Sequence, residues 1–581
     1  MIDQSHSAPN DSPRRITEKR CLWILCIAFA LSLSFFARHI CGIAIAGYQY
    51  TPLVYNPADL TALSAAEYSY KPDDAIWDET WEYARFTHEI LRGELLGANA
   101  SSFRPYLIEG SLPEHLWYRD RLGPMTLALM AAAFGDSVPD AFILSDLVFP
   151  LGIALAILFL CTEFLGFTLS FSFVATAAVM WFNLGDAIRL HDVLFGNSPN
   201  GATFLRTPYP QLSFLLFTLF VVAMMNFHRR ASVSSLMLLG VSLLLSLYAY
   251  FYLWAFVVVM AGLYALANSD ERCAMLVLRS APQRKWQMWL TFLVVAILSF
   301  PVWASLASNA EVFRDSFVRL FGVYTHTPDW RRTMLIAPFL AVAISFITPS
   351  WPSRWMWLLF WVTCASVVNQ QIITGRAIQP VHWTGAIIEP FGTLFLFDLA
   401  FCFRRIVDAP RINRILSNAL ETITIAVVIC VVLVQTYVVG WIGAKVATPY
   451  NRINEQFSEL LAFLAQPELR NYGFLTNDPY LRAILPAYVI QKSLTPSFID
   501  PLSTTNLRTL QTAASDQFGS VIGTVVPLEV QNRSVKLRFD NGKVLFVLNR
   551  IRLTYYGLDR CQDRFENANF IVAVAQKCTT N

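Results

Sequence analysis

Between Lys71 and Glu94 the sequence reads KPDDAIWDETWEYARFTHEILRGE. Asp73, Asp74, Asp78, Glu79, Glu82, Glu89 and Glu94 crowd into it beside Trp77, Trp81 and Tyr83. Carboxylates grouped in this way bind a cation, take a proton from an attacking hydroxyl, or stand solvated on a surface. Proton transfer is the most demanding of the three, because the carboxylate must reach the hydroxyl at about 2.6–3.2 Å or through one water. Two adjacent pairs qualify, Asp73–Asp74 and Asp78–Glu79. Cations that could share the charge of a departing phosphate occur in other polar connections: Arg206, Arg331, Arg332 and Arg376, with His382 nearby. A guanidinium suits that task because it offers several donors in one plane. The same arginines could instead snorkel at a lipid surface.

The elements that position these residues are apolar. Of 581 residues 55% are hydrophobic and 15% charged, where soluble domains carry about 25% charged residues. The deficit points to a mainly α, polytopic helical membrane protein. A net charge of +3 is too small to argue for a nucleic-acid partner, and no basic run suggests one. The eight histidines include no pair at the spacing of a zinc motif, and no Walker loop or GxGxxG fingerprint is present.

Apolar runs near the ~20 residues that a bilayer requires predict about eleven spans. They fall at 21–46, 139–162, 167–184, 210–227, 233–250, 252–268, 287–307, 334–349, 355–372, 384–402 and 418–440. The run at 233–268 could also form one long helix. Residues 1–20 are polar, end in Arg14, Arg15, Lys19 and Arg20, and read as a cytoplasmic leader. Residues 21–46 follow as a retained signal anchor; the alternative, cleavage at Ala44-Ile45-Ala46, lies beyond a usual signal h-region of about 7–15 residues.

Basic residues at Arg229–Arg230, Arg272, Arg279, Arg284, Lys285, Arg354, Arg404 and Arg405 then fall on the cytoplasmic side. Residues 47–138 become an extracytoplasmic acidic loop, 139–440 a transmembrane bundle, and 441–581 an extracytoplasmic C-terminal domain. Within the loop, Trp77 to Leu95 reads as an amphipathic helix. Arg121 to Phe134 is apolar but too short to cross, and so lies at the interface or re-enters.

The tail is predicted to be a small α/β domain. Ile453 to Leu464 has helical spacing, NYGFLTND reads as a strand entering a turn, and Phe570 to Ala575 is an apolar strand. Asp540-Asn541-Gly542 between Val535–Phe539 and Val544–Val547 predicts a hairpin. Eight of the ten cysteines fall within or near the bundle. Cys561 and Cys578 alone lie in the tail, and form a disulfide candidate if it faces an oxidising compartment.

Asp78-Glu79-Thr80, followed by WEYARFTHEILRGE, resembles the first-loop motif of GT-C glycosyltransferases, in particular protein O-mannosyltransferases and the aminoarabinose transferases that modify lipid A. Tyr83 and Gly93 match that pattern, Tyr83 displaced by about one position. Arg121-Leu-Gly-Pro124 and Phe134-Gly135 occupy the place of its downstream segment. The resemblance implies an integral enzyme of a bacterial inner (plasma) membrane, moving a sugar from a polyprenyl-phosphate donor to a glycan, lipid or protein acceptor. It makes Asp78 the general base with Glu79 beside it, leaves Asp73–Asp74 as a rival pair, and gives Arg121 to the lipid phosphate. It implies no nucleotide and allows a divalent cation. Two other readings stay open, a lipid or glycan transporter or flippase and a polysaccharide polymerase or ligase. A transporter would favour ionisable residues inside the spans, where Asp146 and Glu163 sit near the edges of the second.

Overall fold

A computed structural model describes residues 18–53, 79–91, 107–108, 121–181, 204, 209–278, 284–308, 323–324, 326–327, 340, 351, 353–374, 376–377, 383–407, 412–447, 452–453, 455–470, 472–476, 481, 484–485, 488–489, 491–493, 537–538, 544–549, 561–568 and 570–578. The fold is a helical membrane bundle followed by a small mixed sheet. Its helices run in the order α1 (Glu18–Ala46), α2 (Glu79–Leu91), α3 (Leu122–Ala133), α4 (Val138–Phe159), α5 (Leu169–Trp181), α6 (Gln211–Arg230), α7 (Val233–Ala249), α8 (Phe251–Ser269), α9 (Lys285–Leu298), α10 (Phe300–Ser308), α11 (Arg354–Val368), α12 (Glu389–Val407), α13 (Ile412–Tyr437) and α14 (Glu455–Leu464).

Among the described residues seven helices are long and apolar enough to cross a membrane: Lys19–Gln49, Val138–Leu165, Gln211–Arg230, Tyr252–Ser269, Arg354–Thr374, Thr384–Cys402 and Thr422–Lys445. They account for seven of the eleven expected spans. The runs at 167–184, 233–250 and 287–307 form shorter apolar helices, α5, α7 and α9. At 1.5 Å per residue α5 covers only about 20 Å, less than the ~30 Å hydrocarbon core. Helix α9 stops at Ser299 and the chain resumes as α10, with Pro301 in its first turn. Apart from Leu340, which is helical, the run at 334–349 lies outside the described residues.

Local chemistry places the reversals. Gly135 and Asp136 adopt positive φ (68° and 67°) after α3. Ser137 then caps α4 through Asp140 N, with Pro139 in the first turn. Helix α6 ends at Ala231 in the left-handed region, and Ser232 with Ser235 forms a capping box that starts α7. Tyr250 is extended (φ −149°, ψ 134°), so the run at 233–268 is two helices.

Aromatic packing fills the interior. Phe217, Phe256, Phe360, Phe391 and Trp357 join α6, α8, α11 and α12 in one cluster. Trp181 stacks on Phe35 at 4.3 Å and donates to Ser34 Oγ at 2.9 Å, tying α5 to α1. The outward faces are equally apolar. On α9, Trp286, Leu290, Leu293 and Ile297 stand exposed at helical spacing. An apolar stripe of that kind suits a lipid solvent and would be a liability in water.

The tail carries a five-stranded sheet. Three short strands precede it in the chain, β1 (Leu107–Ile108), β2 (Val323–Tyr324) and β3 (Arg376–Ala377), with β3 paired to β2. The tail strands are β4 (Gly473–Thr476), β5 (Lys492–Ser493), β6 (Leu537–Arg538), β7 (Val544–Asn549), β8 (Cys561–Glu566) and β9 (Phe570–Cys578). The sheet order is β5-β4-β7-β9-β8, with β4 parallel to β5 and β7 and the remaining pairs antiparallel. Helix α14 buries Phe457, Leu460 and Leu464, and the Phe457 ring lies 6.1 Å from that of Phe570.

The expected hairpin around Asp540-Asn541-Gly542 is not the pairing adopted. Both edges of β7 are taken, by β4 and β9, and β6 pairs with β1 instead. Long-range pairing of the apolar strand β7 in the sheet centre outweighs the local turn signal. None of the eight cysteines of the bundle forms a disulfide.

Candidate active site

Asp73, Asp74 and Asp78 lie outside the described residues, as do Arg206, Arg331, Arg332 and His382. Glu79 is the first residue of α2 and Arg121 immediately precedes α3. Arg376 opens β3, its backbone opposite Tyr324. The geometry of the site is therefore read from Glu79, Arg121 and the side chains that join their helices.

Helix α2 buries Tyr83, Ala84, Thr87 and His88. These positions recur at the spacing of one helical face, which settles on α3 and α4. Tyr83 is one turn beyond Glu79, so its contacts fix where the acidic end of α2 begins. Its ring meets that of Tyr209 edge-on at 5.3 Å. The Tyr209 hydroxyl in turn accepts from Gly123 N at 3.1 Å and donates to the Ala249 carbonyl at 2.5 Å. A single side chain thus touches α2, the start of α3 and the end of α7. Gly123 is required by that contact, since a Cβ there would stand 2.9 Å from the Tyr209 hydroxyl.

Arg121 is buried two residues before Gly123. Its carbonyl receives Met125 N at 2.9 Å, the first turn of α3. A cation at a helix N-terminus opposes the helix dipole by about 0.3–1 kcal/mol, and burial of the charge adds desolvation.

From Tyr209 an aromatic row crosses the same end of the bundle. Tyr250 stacks on Tyr209 at 4.8 Å, Tyr252 meets Tyr250 at 5.3 Å, and Trp383 meets Tyr252 at 5.2 Å. Trp383 Nε1 also donates to the Tyr252 carbonyl at 2.8 Å. Trp383 follows His382 directly in the chain, which puts that predicted residue's neighbour at the far end of the row.

A second polar group was not anticipated from the sequence. Asp146, in α4, pairs through Oδ2 with Arg38 of α1 and lies 2.5 Å from His39 Nε2. Its Oδ1 accepts from Gln211 Nε2 at 2.7 Å. Each of these residues was visible as a polar interruption of an apolar run. Nothing in the spacing showed that they meet.

Among the described residues no group of three His, Cys, Asp or Glu side chains could hold a metal ion. What the described residues offer is the first turns of α2 and α3, the buried Arg121 and an aromatic row, joined through Tyr209.

No family model matches the sequence, and no curated protein does either. Solved structures similar to this chain include the Archaeoglobus fulgidus oligosaccharyltransferase in its apo form, at 11% identity and a TM-score of 0.44, covering 93% of this chain and 70% of that one. They also include the oligosaccharyltransferase AglB of the same organism in complex with an inhibitory peptide and a dolichol-phosphate, at 10% identity and 0.45, with the same coverage. ArnT from Cupriavidus metallidurans in the apo state is similar at 12% identity and 0.44, covering 87% of this chain and 95% of that one. At these scores the assignment of roles rests on the residues of this chain.

Proposed function

We propose that this chain is an integral membrane glycosyltransferase that moves a sugar from a polyprenyl-phosphate donor to an acceptor on the extracytoplasmic side. The observation that supports the reading is the double contact of Tyr209, whose ring meets Tyr83 of α2 and whose hydroxyl accepts from Gly123 N at the start of α3. Such a transfer needs a base and a cation, and Asp78 and Arg121 are proposed for those roles.

In the step proposed, Asp78 takes the proton of the acceptor hydroxyl while that oxygen bonds to the anomeric carbon. The bond from that carbon to the phosphate oxygen breaks, polyprenyl phosphate leaves with the electron pair, and the sugar carbon inverts. Arg121 stabilises the charge that develops on the phosphate. Glu79 stands beside the base, and Asp73–Asp74 is the rival pair. Arg206, Arg331, Arg332, Arg376 and His382 are proposed to share the phosphate charge. A bacterial inner membrane is the proposed setting, with the N-terminus cytoplasmic and the tail extracytoplasmic.

Asp78→Asn tests the chemistry, because Asn keeps the shape but cannot take a proton. Transfer is expected to fall by about 10²–10⁴-fold with normal accumulation, the usual cost of losing a general base. Asp73→Asn and Asp74→Asn are the controls. An active Asp78→Asn beside an inactive control moves the base to the other pair, and three active variants sink the enzyme reading. Mass measurement of polyprenyl-linked sugars and cell-surface glycans, with and without the protein, identifies the product.

The transporter reading gains one observation, the ionisable trio Arg38, His39 and Asp146 inside the spans. Translocation of a lipid-linked sugar with no new glycosidic bond would favour it.

A further inference from the structure

We propose that Asp146 is a positioning residue for this site, setting through Gln211 the turn that carries Tyr209. Ionisable side chains inside membrane spans are costly and are retained for a purpose. Asp146 and His39 are each 2% exposed and Gln211 is fully buried. Arg38 lies eight residues before the end of α1, about 12 Å along the helix. In that apolar setting a satisfied carboxylate is a strong, directional fixture.

Three arms radiate from it. Arg38 and His39 bind it to α1, and the other nitrogen of His39 lies 2.6 Å from the Tyr50 hydroxyl, beyond the end of that helix. The third arm is Gln211, whose amide nitrogen donates both to Asp146 Oδ1 and to the Phe204 carbonyl, each at 2.7 Å. With both hydrogens committed, the amide can neither rotate nor withdraw. Phe204 and Gln211 bracket the approach to α6, and Tyr209 stands two residues before Gln211. The carboxylate on α4 is thus linked, through one amide and two peptide units, to the tyrosine that joins α2 and α3. Asp146 reaches that tyrosine through Gln211, so its effect on the site is positional.

Hydrogen exchange of the full-length protein in lipid nanodiscs tests this without any substrate. In Gln211→Met, peptides covering 204–213 and the first turn of α2 are expected to exchange about tenfold faster, while α12 is unchanged. Asp146→Asn should do the same and also loosen the end of α1. Ser145→Ala, whose hydroxyl only returns to the Phe142 carbonyl, is the control that should match the parent. If Gln211→Met does not accumulate, Gln211→Asn, which retracts the amide by one methylene, takes its place with the same expectation. Unchanged exchange at 204–213 and α2 overturns the proposal, and so does a uniform rise across all peptides.

The activity arm rests on the proposed function. With a membrane lipid extract as donor, the same variants should lose about 10²-fold in rate, the cost of a 1 Å misplacement. Loosened exchange with full transfer refutes the positioning role. Absence of transfer in the parent protein refutes the functional reading and leaves the exchange result to stand by itself.

Discussion

Removing the hydroxyl of Tyr209 is the sharpest perturbation the site allows. Tyr209→Phe keeps the ring, and with it the edge contact to Tyr83 and the stack on Tyr250. It deletes the acceptor for Gly123 N and the donor to the Ala249 carbonyl. Both partners sit in buried surroundings, where an orphaned backbone group costs about 1–3 kcal/mol. The two together give about 2–6 kcal/mol, concentrated where α3 begins and α7 ends. The loss should release Gly123, and with it Arg121, from their fixed relation to α2. The assay is twofold: the midpoint of heat-induced loss of the monodisperse detergent-solubilised protein, and the rate of transfer from a lipid extract. A lower midpoint with a rate reduced by about 10²-fold is expected. Tyr209→Leu, which also loses the aromatic pair, should fall further by about 0.5–1.5 kcal/mol. A Tyr209→Phe protein with parental midpoint and parental transfer would refute the claim that this hydroxyl joins the two helices.

Gly123→Ala attacks the same junction from the other side: its Cβ would meet the Tyr209 hydroxyl at 2.9 Å and ring carbons at 3.0 Å. A cost of about 1–3 kcal/mol follows, read as a lower thermal midpoint; a neutral result would mean that the ring yields freely. Asp398 accepts through one oxygen from Trp351 Nε1, Ser353 Oγ and Trp357 Nε1. Asp398→Leu orphans all three donors and should cost about 3 kcal/mol or more, seen as loss of accumulated protein, whereas Ser353→Ala should accumulate. Backbone register sets Cys561 opposite Cys578 across β8 and β9, and directly opposed antiparallel positions have Cα atoms about 4.5–5.5 Å apart, within the span of a disulfide. A nonreducing digest should give one linked peptide pair, worth roughly 3 kcal/mol by the chain-entropy estimate; free thiols at both positions refute it. Reporter fusions after Arg230 and after Asn581 should report opposite sides of the membrane, and the same side for both would overturn the orientation.

The bundle was legible because a bilayer imposes a length on apolar segments, and runs such as 139–162 and 384–402 have no other reading. The short helix α3 was legible for the same reason inverted, being apolar yet too short to cross. Tyr83 could be matched by spacing alone because it shares one helix with Glu79. The Asp146 cluster could not, since its members sit 108, 107 and 65 residues apart in the chain. One charge in an apolar run looks the same whether it faces lipid headgroups or a partner on another helix. Tyr209 was hidden for a related reason: a tyrosine between two prolines reads as loop punctuation, and only packing makes it a joint. The hairpin failed because Asp540-Asn541-Gly542 reports what a turn prefers locally. The partner of β7 was decided by β4, some seventy residues earlier.

The root of the tail carries a consequence for biosynthesis. Where α1 ends, Tyr50 forms a β-bridge with Arg452, Ile453 N donates to the Gln49 carbonyl at 2.8 Å, and Arg452 Nε donates to the Gln49 side chain at 2.5 Å. Those partners are separated by 403 residues. At about 5–20 residues per second, the ribosome delivers the second partner roughly 20–80 s after the first. Through that interval the exit of α1 has no strand to pair with, while most of the helices are already entering the bilayer. A nascent chain arrested before Arg452 would hold its spans and still present the base of the acidic loop to quality-control proteases, so protection of that base from cleavage reports completion of the tail.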